Sequence, residues 1–578
     1  MSNSTVRFRA ISAPVLLAMT ATGACASPEA EPDDLEFRAT ELHVNTLLDL
    51  PRIAAASPCT CATLTPGVCS LRAAVQTANV CTMDTKIVLT VSGTYLLGPG
   101  PAVDDDDEFG DLDIFQSTTI MAGAAPDWPP VSATVNAGNQ YRVFDIHPES
   151  GPVTLAGFKV VRGKIDPSPF PVGDANGGCI RARSSEVIMH NMIVGGEPGE
   201  GCSGHYGGGV YAEESSVTME STILADNAAL AWANGLSTID GLGGGLFTID
   251  TELNMTDSQA LENSATGGGG GVAIFSAATA ASFSDIVLDG NETFKAGGGG
   301  FMAAPFTIVD SLITNNSVID GPGQGGGGLY VSSSDSGTTS TVHGSSISGN
   351  LAQHGGGISV AGSLEVFGSN INSNVAAGGQ LAPRGGGIFG GAEGSIALER
   401  STVVGNKAEQ GGGVYVSHQL EATNSTLSRN EATTDGGGLY AGEGSAFNLL
   451  HCTLRDNSAA NAGGGAWVDA GSLAQLDRSA MYGNSQSAGP PECTGPLTTP
   501  TVAVSDLASC VTPVASVISG AFGGWGPLTN NGNFTSTYTI GPPNSALSTA
   551  IPCGVAEDQW GQPRDSPCDI GAYENQTN

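Results

Sequence analysis

The sequence is poor in basic residues and in charged residues of either sign. It has 20 Lys and Arg against 56 Asp and Glu, a formal net charge of −36, and only 13% charged residues in 578. This balance argues against nucleic acid and an anionic membrane surface as direct partners. The sequence also lacks amphipathic helical periodicity over most of its length, although 40% of its residues are apolar. A mainly helical protein and a disordered chain are therefore both excluded.

Glycine is abundant, and it recurs in clusters. The clusters end at Gly178, Gly209, Gly245, Gly271, Gly300, Gly328, Gly357, Gly387, Gly413, Gly438 and Gly465, at steps of 25 to 36 residues. Each cluster introduces short apolar-polar alternating runs, the last of which closes on an asparagine. These asparagines are Asn227, Asn263, Asn291, Asn316, Asn350, Asn374, Asn406, Asn430, Asn457 and Asn484. The length variation falls mostly between asparagine and the next glycine, which predicts a loop that tolerates insertion.

The alternation Val414, Val416, Leu420, Ala422 and Leu427 is typical of strands. A repeat of this length made of short strands predicts a solenoid in which each coil pairs with the next. Because parallel crossovers are almost always right-handed, we expect an all-β, right-handed parallel β-helix.

Two residue types have structural roles in this prediction. Asparagines at one corner should stack as a ladder of side-chain amides, as at Asn350, Asn374, Asn406, Asn430 and Asn457. Glycines should supply positive-φ corners and allow backbones to approach closely, as at Gly357, Gly387, Gly413, Gly438 and Gly465.

The N-terminus resembles a secretory signal peptide. Arg7 and Arg9 precede an apolar run from Ala10 to Ala21, which is too short to span a membrane as a mature anchor. Ala24-Cys25-Ala26 suits cleavage before Ser27, whereas Thr22 to Cys25 resembles a lipobox with lipidation of Cys25. Either interpretation predicts export.

The remaining cysteines support an oxidising compartment. Setting Cys25 and Cys452 aside leaves ten, mostly in sequence-local pairs outside the regular coils, which predicts disulfides in caps and loops. Those with a structural role in the repeats and the C-terminal cap are Cys179, Cys202, Cys493, Cys510, Cys553 and Cys568. Cys452 takes the place of Ser401 and Ser425 in the third run, so it should lie in the core as a small free thiol.

A helical face of Leu71, Ala74, Val75 and Ala78, with Ser70 as N-cap, predicts a short N-terminal capping helix. The helix lies in Cys-Ser-Leu-Arg-Ala-Ala, which resembles the Cys-Ser-Leu-Arg-Glu-Ala motif of a group of bacterial surface β-helix proteins, with Ala73 in place of glutamate. Gly110 to Ile114 and Asp569-Ile-Gly-Ala-Tyr-Glu574 resemble further signatures of that group. The coils are similar to repeats of chlamydial polymorphic outer-membrane proteins. The resemblance implies an exported bacterial protein of the outer-membrane surface or extracellular space, mostly without assigned chemistry.

These observations give a predicted domain order. It is a signal peptide (1–26), an acidic tether (27–58), an N-terminal cap with irregular first coils (59–175), regular coils (176–490) and a C-terminal cap (491–578). Trp560 and Tyr573 are expected to pack over the last coil. We expect a monomer that contacts a membrane only through a lipid anchor.

One acidic run is a candidate calcium site. Carboxylates at Asp104, Asp106, Glu108, Asp111 and Asp113 are the hard oxygen ligands that calcium prefers. The alternative is that these side chains are simply solvated. No other cofactor is expected.

Two function classes remain. The favoured one is a structural, adhesive or glycan-contacting protein that presents a broad face to a polysaccharide, a matrix or a cell surface. The alternative is a polysaccharide lyase or glycoside hydrolase acting on an acidic polysaccharide, which needs acids and an arginine that converge from neighbouring coils. Because bases such as Arg181, Arg183, Arg400 and Arg455 are expected to be scattered over different corners, an enzyme is the less favoured class, and no catalytic residue is assigned.

Overall fold

The computed structural model describes the chain between Thr40 and Glu574, with gaps. The described residues are 40–98, 110–123, 132–148, 150–166, 175–233, 238–275, 280–319, 325–332, 339–379, 381–487, 493–501, 503–505, 511–512, 517–518, 525–530, 535–540, 553–565 and 568–574. Within these ranges, no helix is both long and apolar enough to cross a membrane.

Each regular coil has four strands. In one coil these are Val414–Val416, Gln419–Thr423, Thr426–Ser428 and Glu431–Asp435. Every strand pairs in parallel with its equivalent in the next coil, so the coils build four parallel sheets, here named first to fourth in that order. The predicted parallel β-helix is thereby confirmed, and parallel crossovers of this kind are right-handed.

The first sheet has 14 strands: Leu112–Ile114, Phe144–Ile146, Ile180–Arg183, Val210–Glu213, Leu246–Ile249, Val272–Phe275, Gly300–Ala303, Leu329–Val331, Ile358–Val360, Ile388–Gly390, Val414–Val416, Leu439–Ala441, Ala466–Val468 and Cys493–Thr494. The second sheet has 17: Thr40–Val44, Thr85–Leu89, Thr118–Ala122, Pro152–Ala156, Glu186–His190, Ser216–Glu220, Glu252–Thr256, Ala281–Ser284, Phe306–Val309, Ser340–His343, Ser363–Phe367, Ser395–Glu399, Gln419–Thr423, Ala446–Leu450, Leu473–Asp477, Leu497–Thr498 and Val511–Thr512.

The third sheet has 16 strands: Gly93–Leu96, Ala133–Asn136, Lys159–Val161, Ile193–Gly195, Ile223–Ala225, Gln259–Leu261, Val287–Asp289, Leu312–Thr314, Ser346–Ser348, Asn370–Asn372, Thr402–Val404, Thr426–Ser428, Thr453–Arg455, Ser479–Tyr482, Ala503–Ser505 and Val517–Ile518. The fourth sheet has 11: Ser203–Gly204, Ala228–Ala229, Ser264–Ala265, Glu292–Thr293, Ser317–Val318, Leu351–Ala352, Val375–Ala376, Lys407–Gln410, Glu431–Asp435, Ser458–Ala459 and Ser485–Gln486. Two antiparallel pairs lie outside these sheets: Trp232–Ala233 with Thr238–Ile239, and Trp525–Asn530 with Ser536–Ile540.

The N-terminal end is closed by a helix, Leu71–Val80, whose N-cap Ser70 accepts a hydrogen bond from the backbone of Ala73. Disulfides Cys59–Cys81 and Cys61–Cys69 hold the segment around it. The buried Arg72 pairs with Asp49 at 3.0 Å and donates to the carbonyls of Gly110 and Asp111. The helix motif thereby fixes the start of the first sheet.

The sheets extend beyond the regular coils at both ends. Thr40–Val44 pairs with Thr85–Leu89 within the second sheet, so the chain joins the fold from Thr40, inside the segment expected to be a tether. At the other end Val517–Ile518 still pairs within the third sheet. The core runs from Leu42 to Leu497, because the inward apolar residues of successive strands form one buried cluster.

The asparagines form a buried ladder between the third and fourth sheets, from Asn227 to Asn484. At Asn406, Nδ2 donates to Oδ1 of Asn430 at 3.0 Å and to the carbonyl of Ile371 at 3.0 Å. Its Oδ1 accepts from the backbone N–H and the side chain of Asn374. All hydrogen-bonding capacity of each central amide is therefore used inside the corner.

The glycine corner next to this ladder has no room for side chains. Gly411 has φ +65°, and a Cβ on Gly413 would lie 2.5 Å from the carbonyl oxygen of Gly438 and 2.9 Å from Nδ2 of Asn430. A second corner, between the second and third sheets, contains a serine ladder. There the backbone N–H of Ser401 donates to Oγ of Ser425 at 3.1 Å, and that of Cys452 donates to Oγ of Ser479 at 2.8 Å.

Cys452 is a free, fully buried cysteine in the serine ladder. Its Sγ lies 3.3 Å from the carbonyl oxygen of Ala422, a contact of the kind that the serine hydroxyls make. Burial raises the pKa of its thiol to about 12. Among the other cysteines, Cys179–Cys202 and Cys553–Cys568 are bonded and Cys493 is part of a disulfide, while Cys25 and Cys510 lie outside the described residues.

The C-terminal segment corrects one expectation, because Trp560 and Tyr573 do not pack over the last coil. The segment lies against the outer side of the third sheet, where Gln559 bonds Thr402 and Thr426, and the backbone of Ala572 donates to Thr453. Trp560 and Tyr573 contact each other edge to face at 5.1 Å. The threonines of these strands supply hydroxyl partners on the outer face, which explains why the cap settles on the side of the coils.

We predict that Cys452→Ser leaves stability nearly unchanged, within about 1 kcal/mol, since serine continues the ladder. Leu454→Ala, two residues away in the core, should lower the free energy of unfolding by about 2 to 5 kcal/mol through its cavity. Urea unfolding measures both. Native Cys452 should also resist a bulky thiol reagent, and rapid labelling at this site would contradict the assigned burial.

Candidate functional site

The outward-facing middle residues of the first sheet form a continuous row, here called the outer row. In register they are Asp113, Asp145, Arg181, Tyr211, Phe247, Ala273, Phe301, Tyr330, Ser359, Phe389, Tyr415, Tyr440 and Trp467. They face outward because their strand neighbours, such as Val414 and Val416, point into the core. The row is charged at its N-terminal end and aromatic over most of its length.

The aromatic part consists of two stacked runs of five rings, here called the aromatic ladder. The first run is Tyr211, Phe247, Phe275, Phe301 and Tyr330, with centroids 5.0 to 5.6 Å apart. The second is His354, Phe389, Tyr415, Tyr440 and Trp467, at 4.9 to 6.0 Å. Phe275 and His354 supply rings at the levels where the outer row has only Ala273 and Ser359.

The ladder is partly accessible. Tyr211, Phe247, Tyr415 and Tyr440 are buried by their neighbours, whereas Phe275, Phe301, Tyr330, Phe389 and Trp467 are half-buried. Each stacked pair contributes about 0.5 to 1.5 kcal/mol beyond area burial, so the rings stabilise the sheet as well as covering it.

Sequence reasoning missed this row although a signal was present. An aromatic residue stands two positions after the last glycine of a cluster at Tyr211, Phe247, Phe389, Tyr415 and Tyr440, among others. Within a single coil, one aromatic residue in a short strand is not a distinctive signal. The recurrence at one register position is what marks it.

A buried ionic cluster occupies the charged end of the outer row. It comprises Asp111, Asp113, Arg142, Asp145, His147, Arg181 and Arg183, from consecutive coils. Asp145 is its centre: Arg142 Nη1 donates to Oδ2 at 2.9 Å and Arg181 Nε donates to Oδ1 at 2.9 Å. His147 Nε2 lies 2.7 Å from Oδ1 of Asp113, and Arg183 Nη2 lies 3.4 Å from the other ring nitrogen.

Burial affects the two central acids in opposite ways. Asp145 is desolvated, but the guanidinium groups of Arg142 and Arg181 outweigh that cost and hold the pKa of its carboxyl well below its usual range. For Asp111, desolvation dominates and raises the pKa of the carboxyl to about 8. Arg142, at 3.5 Å, is its main cationic neighbour and lowers the pKa by less than burial raises it. Neither oxygen of Asp111 accepts a hydrogen bond from the described residues.

The cluster bears on two sequence expectations. Of the calcium candidates, Asp104, Asp106 and Glu108 lie outside the described residues, while Asp111 and Asp113 are buried among the arginines. Atoms of Asp113, Asp145 and His147 lie within 4.8 Å of one another and could hold a cation, which leaves calcium a hypothesis.

The second expectation, that bases are scattered, is wrong for Arg181 and Arg183. These two arginines converge with Arg142 on Asp145, because strands 36 residues apart in sequence are neighbours in the sheet. By contrast, Arg400 pairs with Glu557 of the C-terminal segment, away from the cluster. Only His147 and Arg183 bring the cluster near the surface, the Arg183 side chain being 31% exposed.

The chain is thus a parallel β-helix repeat protein with a charged and aromatic outer row. No protein family and no curated protein matches its sequence. It is similar in structure to a variant of the periplasmic alginate epimerase AlgG, at TM-score 0.32 and 10% identity over 68% of this chain and 84% of that one. It is also similar to the Dettilon tailspike protein gp208, at TM-score 0.27 and 11% identity over 70% and 62%. Similarity at this level carries no statement about activity.

We predict that Asp111→Asn reduces the pH dependence of stability. At a pH between 3.8, the usual pKa of an aspartate, and about 8, the pKa of Asp111 in the fold, the unfolded chain has released a proton that folded Asp111 retains. The free energy of unfolding should therefore fall as pH rises through this window, and asparagine removes that loss. Relative to wild type, the variant should gain about 1 to 3 kcal/mol between about pH 5 and about pH 8, measured by urea unfolding.

The control for this experiment is Glu252→Gln, an exposed acid on the second sheet. It should keep the wild-type pH dependence. Parallel pH curves for wild type and Asp111→Asn would show that Asp111 is already ionised in the fold.

Proposed function

We propose that this protein is an exported β-helix protein that binds a polysaccharide along the aromatic ladder, in a structural or adhesive role toward a matrix or another cell. One observation carries the proposal: ten rings stack on the outward side of a sheet, where strands normally present polar residues to water. Five of these rings are half-buried and leave part of their apolar surface accessible, and a row of accessible apolar groups of this length favours an interaction site.

The chemistry of the ladder suits a sugar. The apolar C–H face of a pyranose packs on an aromatic ring, while nearby polar groups bond its hydroxyls. At the end of the ladder, Trp467 Nε1 donates to Oδ1 of Asp469 at 2.8 Å, and Tyr440 lies 3.3 Å from the same carboxylate. Because Thr494 follows Trp467 in the row, no outer-row ring covers that face of the indole among the described residues.

We predict that the purified protein is retained by insoluble or immobilised polysaccharides and that Tyr330→Ala with Trp467→Ala weakens retention at least about tenfold. Affinity electrophoresis or pull-down over a panel of cellulose, xylan, mannan, pectin and alginate measures it. The control is Leu312→Ala, an exposed apolar residue on the third sheet. Absence of wild-type binding across the panel, or equal binding by the double variant, contradicts the proposal.

A second candidate function, a lyase or hydrolase for acidic polysaccharides, is supported by the ionic cluster. Acids, a histidine and arginines from neighbouring coils converge there, and His147 is positioned by Asp113. The same polysaccharide panel distinguishes binding from catalysis. Each polysaccharide is incubated with the protein, with and without calcium, and assayed for new reducing ends and unsaturated products. Polysaccharide binding alone predicts no turnover; turnover lost in His147→Ala and Arg183→Ala would establish the second candidate.

Anchoring at Cys25 is the further part of the proposal, supported by the sequence context of that residue. If Cys25 is lipidated, the wild-type protein should partition with membranes and incorporate palmitate, because two fatty chains hold a protein to a bilayer. Cys25→Ala should be released into the soluble exported fraction. Equal release of both proteins, with the mature chain beginning at Ser27, would exclude the anchor.

A further inference from the structure

An insertion builds a pocket beside the aromatic ladder. The step from Gly209 to Gly245, 36 residues, is the longest between glycine clusters. It contains the antiparallel pair Trp232–Ala233 and Thr238–Ile239, and it returns to the coil through a bridge between Tyr206 and Leu242. The insertion thereby brings Ile239 and Asp240 over the corner between the fourth and first sheets.

The pocket that results has a volume of about 270 Å³. Tyr206, Phe275 and Phe301 form its aromatic surface, and Ile239 and Leu242 border it. Its charged groups are Lys295 and Asp240, which form an ion pair and have side chains 55% and 33% exposed. One wall thus offers ring surface and the other offers a donor and an acceptor side by side.

Two glycines keep this space open. A Cβ on Gly268 would lie 2.7 Å from the ring of Phe301, and one on Gly267 would lie 2.8 Å from the Leu242 side chain. Neither glycine has a positive φ in the structure, so the reason for glycine here is space and not backbone conformation. The sequence at this corner therefore preserves access to the rings.

We propose that this pocket binds one neutral pyranose unit of the polysaccharide, an inference that rests on the proposed function and names its ligand class. Ring surface with a few convergent polar groups is the usual composition of a small-ligand site, and this volume lies just below the roughly 300 to 1,000 Å³ of sites for drug-sized molecules. Vicinal hydroxyls of a sugar can accept from Lys295 Nζ and donate to the carboxylate of Asp240 at once.

Charge favours a neutral sugar over a uronate. The positive charge of Lys295 is already compensated by Asp240, so the described residues that line the pocket offer no unpaired cation for a carboxylate. The net charge of −36 further repels an anionic polymer. A neutral sugar incurs neither penalty, and the ion pair remains intact when it binds.

The test measures binding of soluble hexasaccharides by titration calorimetry at physiological salt. The probes are cellohexaose, xylohexaose and mannohexaose as neutral chains and hexagalacturonate as the acidic one. Lys295→Met, Asp240→Asn and Gly268→Ala change, in turn, the donor, the acceptor and the free space. Each should weaken binding of the preferred neutral probe at least about tenfold.

The matched control is Lys407→Met. Lys407 is 60% exposed and pairs with Glu431 at 2.7 Å on the fourth sheet, so it reproduces an exposed ion pair away from the pocket. It should bind as wild type does. Thermal unfolding of each variant establishes that the fold is retained, which the exposure of Lys295 and Asp240 favours.

The outcomes separate the two proposals. Wild-type binding that persists in all three pocket variants but is lost in the Tyr330 and Trp467 variants overturns the pocket and leaves the proposed function standing. Tighter binding of hexagalacturonate than of every neutral probe overturns the ligand class. Absence of binding to every polysaccharide and hexasaccharide overturns the proposed function itself.

Discussion

The structure depends on one geometric constraint: within the four sheets, each strand residue stacks on its equivalent one coil away. Parallel strands repeat at about 4.8 Å, so a side chain at a given position meets the same position above and below. Asparagine suits this repeat, because its amide donates and accepts along the stack. At Asn374 the side chain makes four hydrogen bonds, to Asn350, Asn406 and the carbonyl of Ile347. The corner next to the asparagine ladder then needs glycine, because a Cβ there would clash with the asparagine amide, as at Gly413.

The same constraint extends to the outer row, where function is proposed. Aromatic residues at one register position stack because the coil spacing is close to the separation of stacked rings. At the N-terminal end the same positions hold Asp113, Asp145 and Arg181, and stacking places the Arg181 guanidinium beside the Asp145 carboxylate. Surface chemistry therefore changes along one face while the backbone beneath it stays the same. The pocket arises where an insertion departs from the repeat at its variable corner.

Much of the fold follows from sequence, because its determinants recur locally. Each coil contains its own glycine cluster, closing asparagine and apolar-polar alternation, as through Val414 and Leu420. The pattern from Ser70 to Ala78 likewise predicts a helix. The site does not follow in the same way. Asp145 meets Arg181 only once the register of two coils is known, and variable loops hide that register in the sequence.

The remaining features depend on contacts between distant segments. The C-terminal segment binds Thr402 and Thr426, more than 100 residues earlier, through Gln559. Nothing in the spacing of Trp560 and Tyr573 indicates which surface they cover. The aromatic ladder is intermediate: its members recur after each glycine cluster, but only the pairing of strands shows that the rings stack. Recurrence at one register position is thus the signal to seek in other solenoids.

Hydrogen exchange of two neighbouring asparagine variants tests the central claim most directly. Asn374 lies in the ladder, whereas Asn372, two residues earlier, lies outside it on the third sheet and is half-buried. Asn374→Ala should remove protection from the amides of its own coil and of the coils that contain Asn350 and Asn406, at a cost of about 2 to 4 kcal/mol. Asn372→Ala should leave that protection nearly unchanged. Equal protection in the two variants would show that the ladder does not hold the coils together.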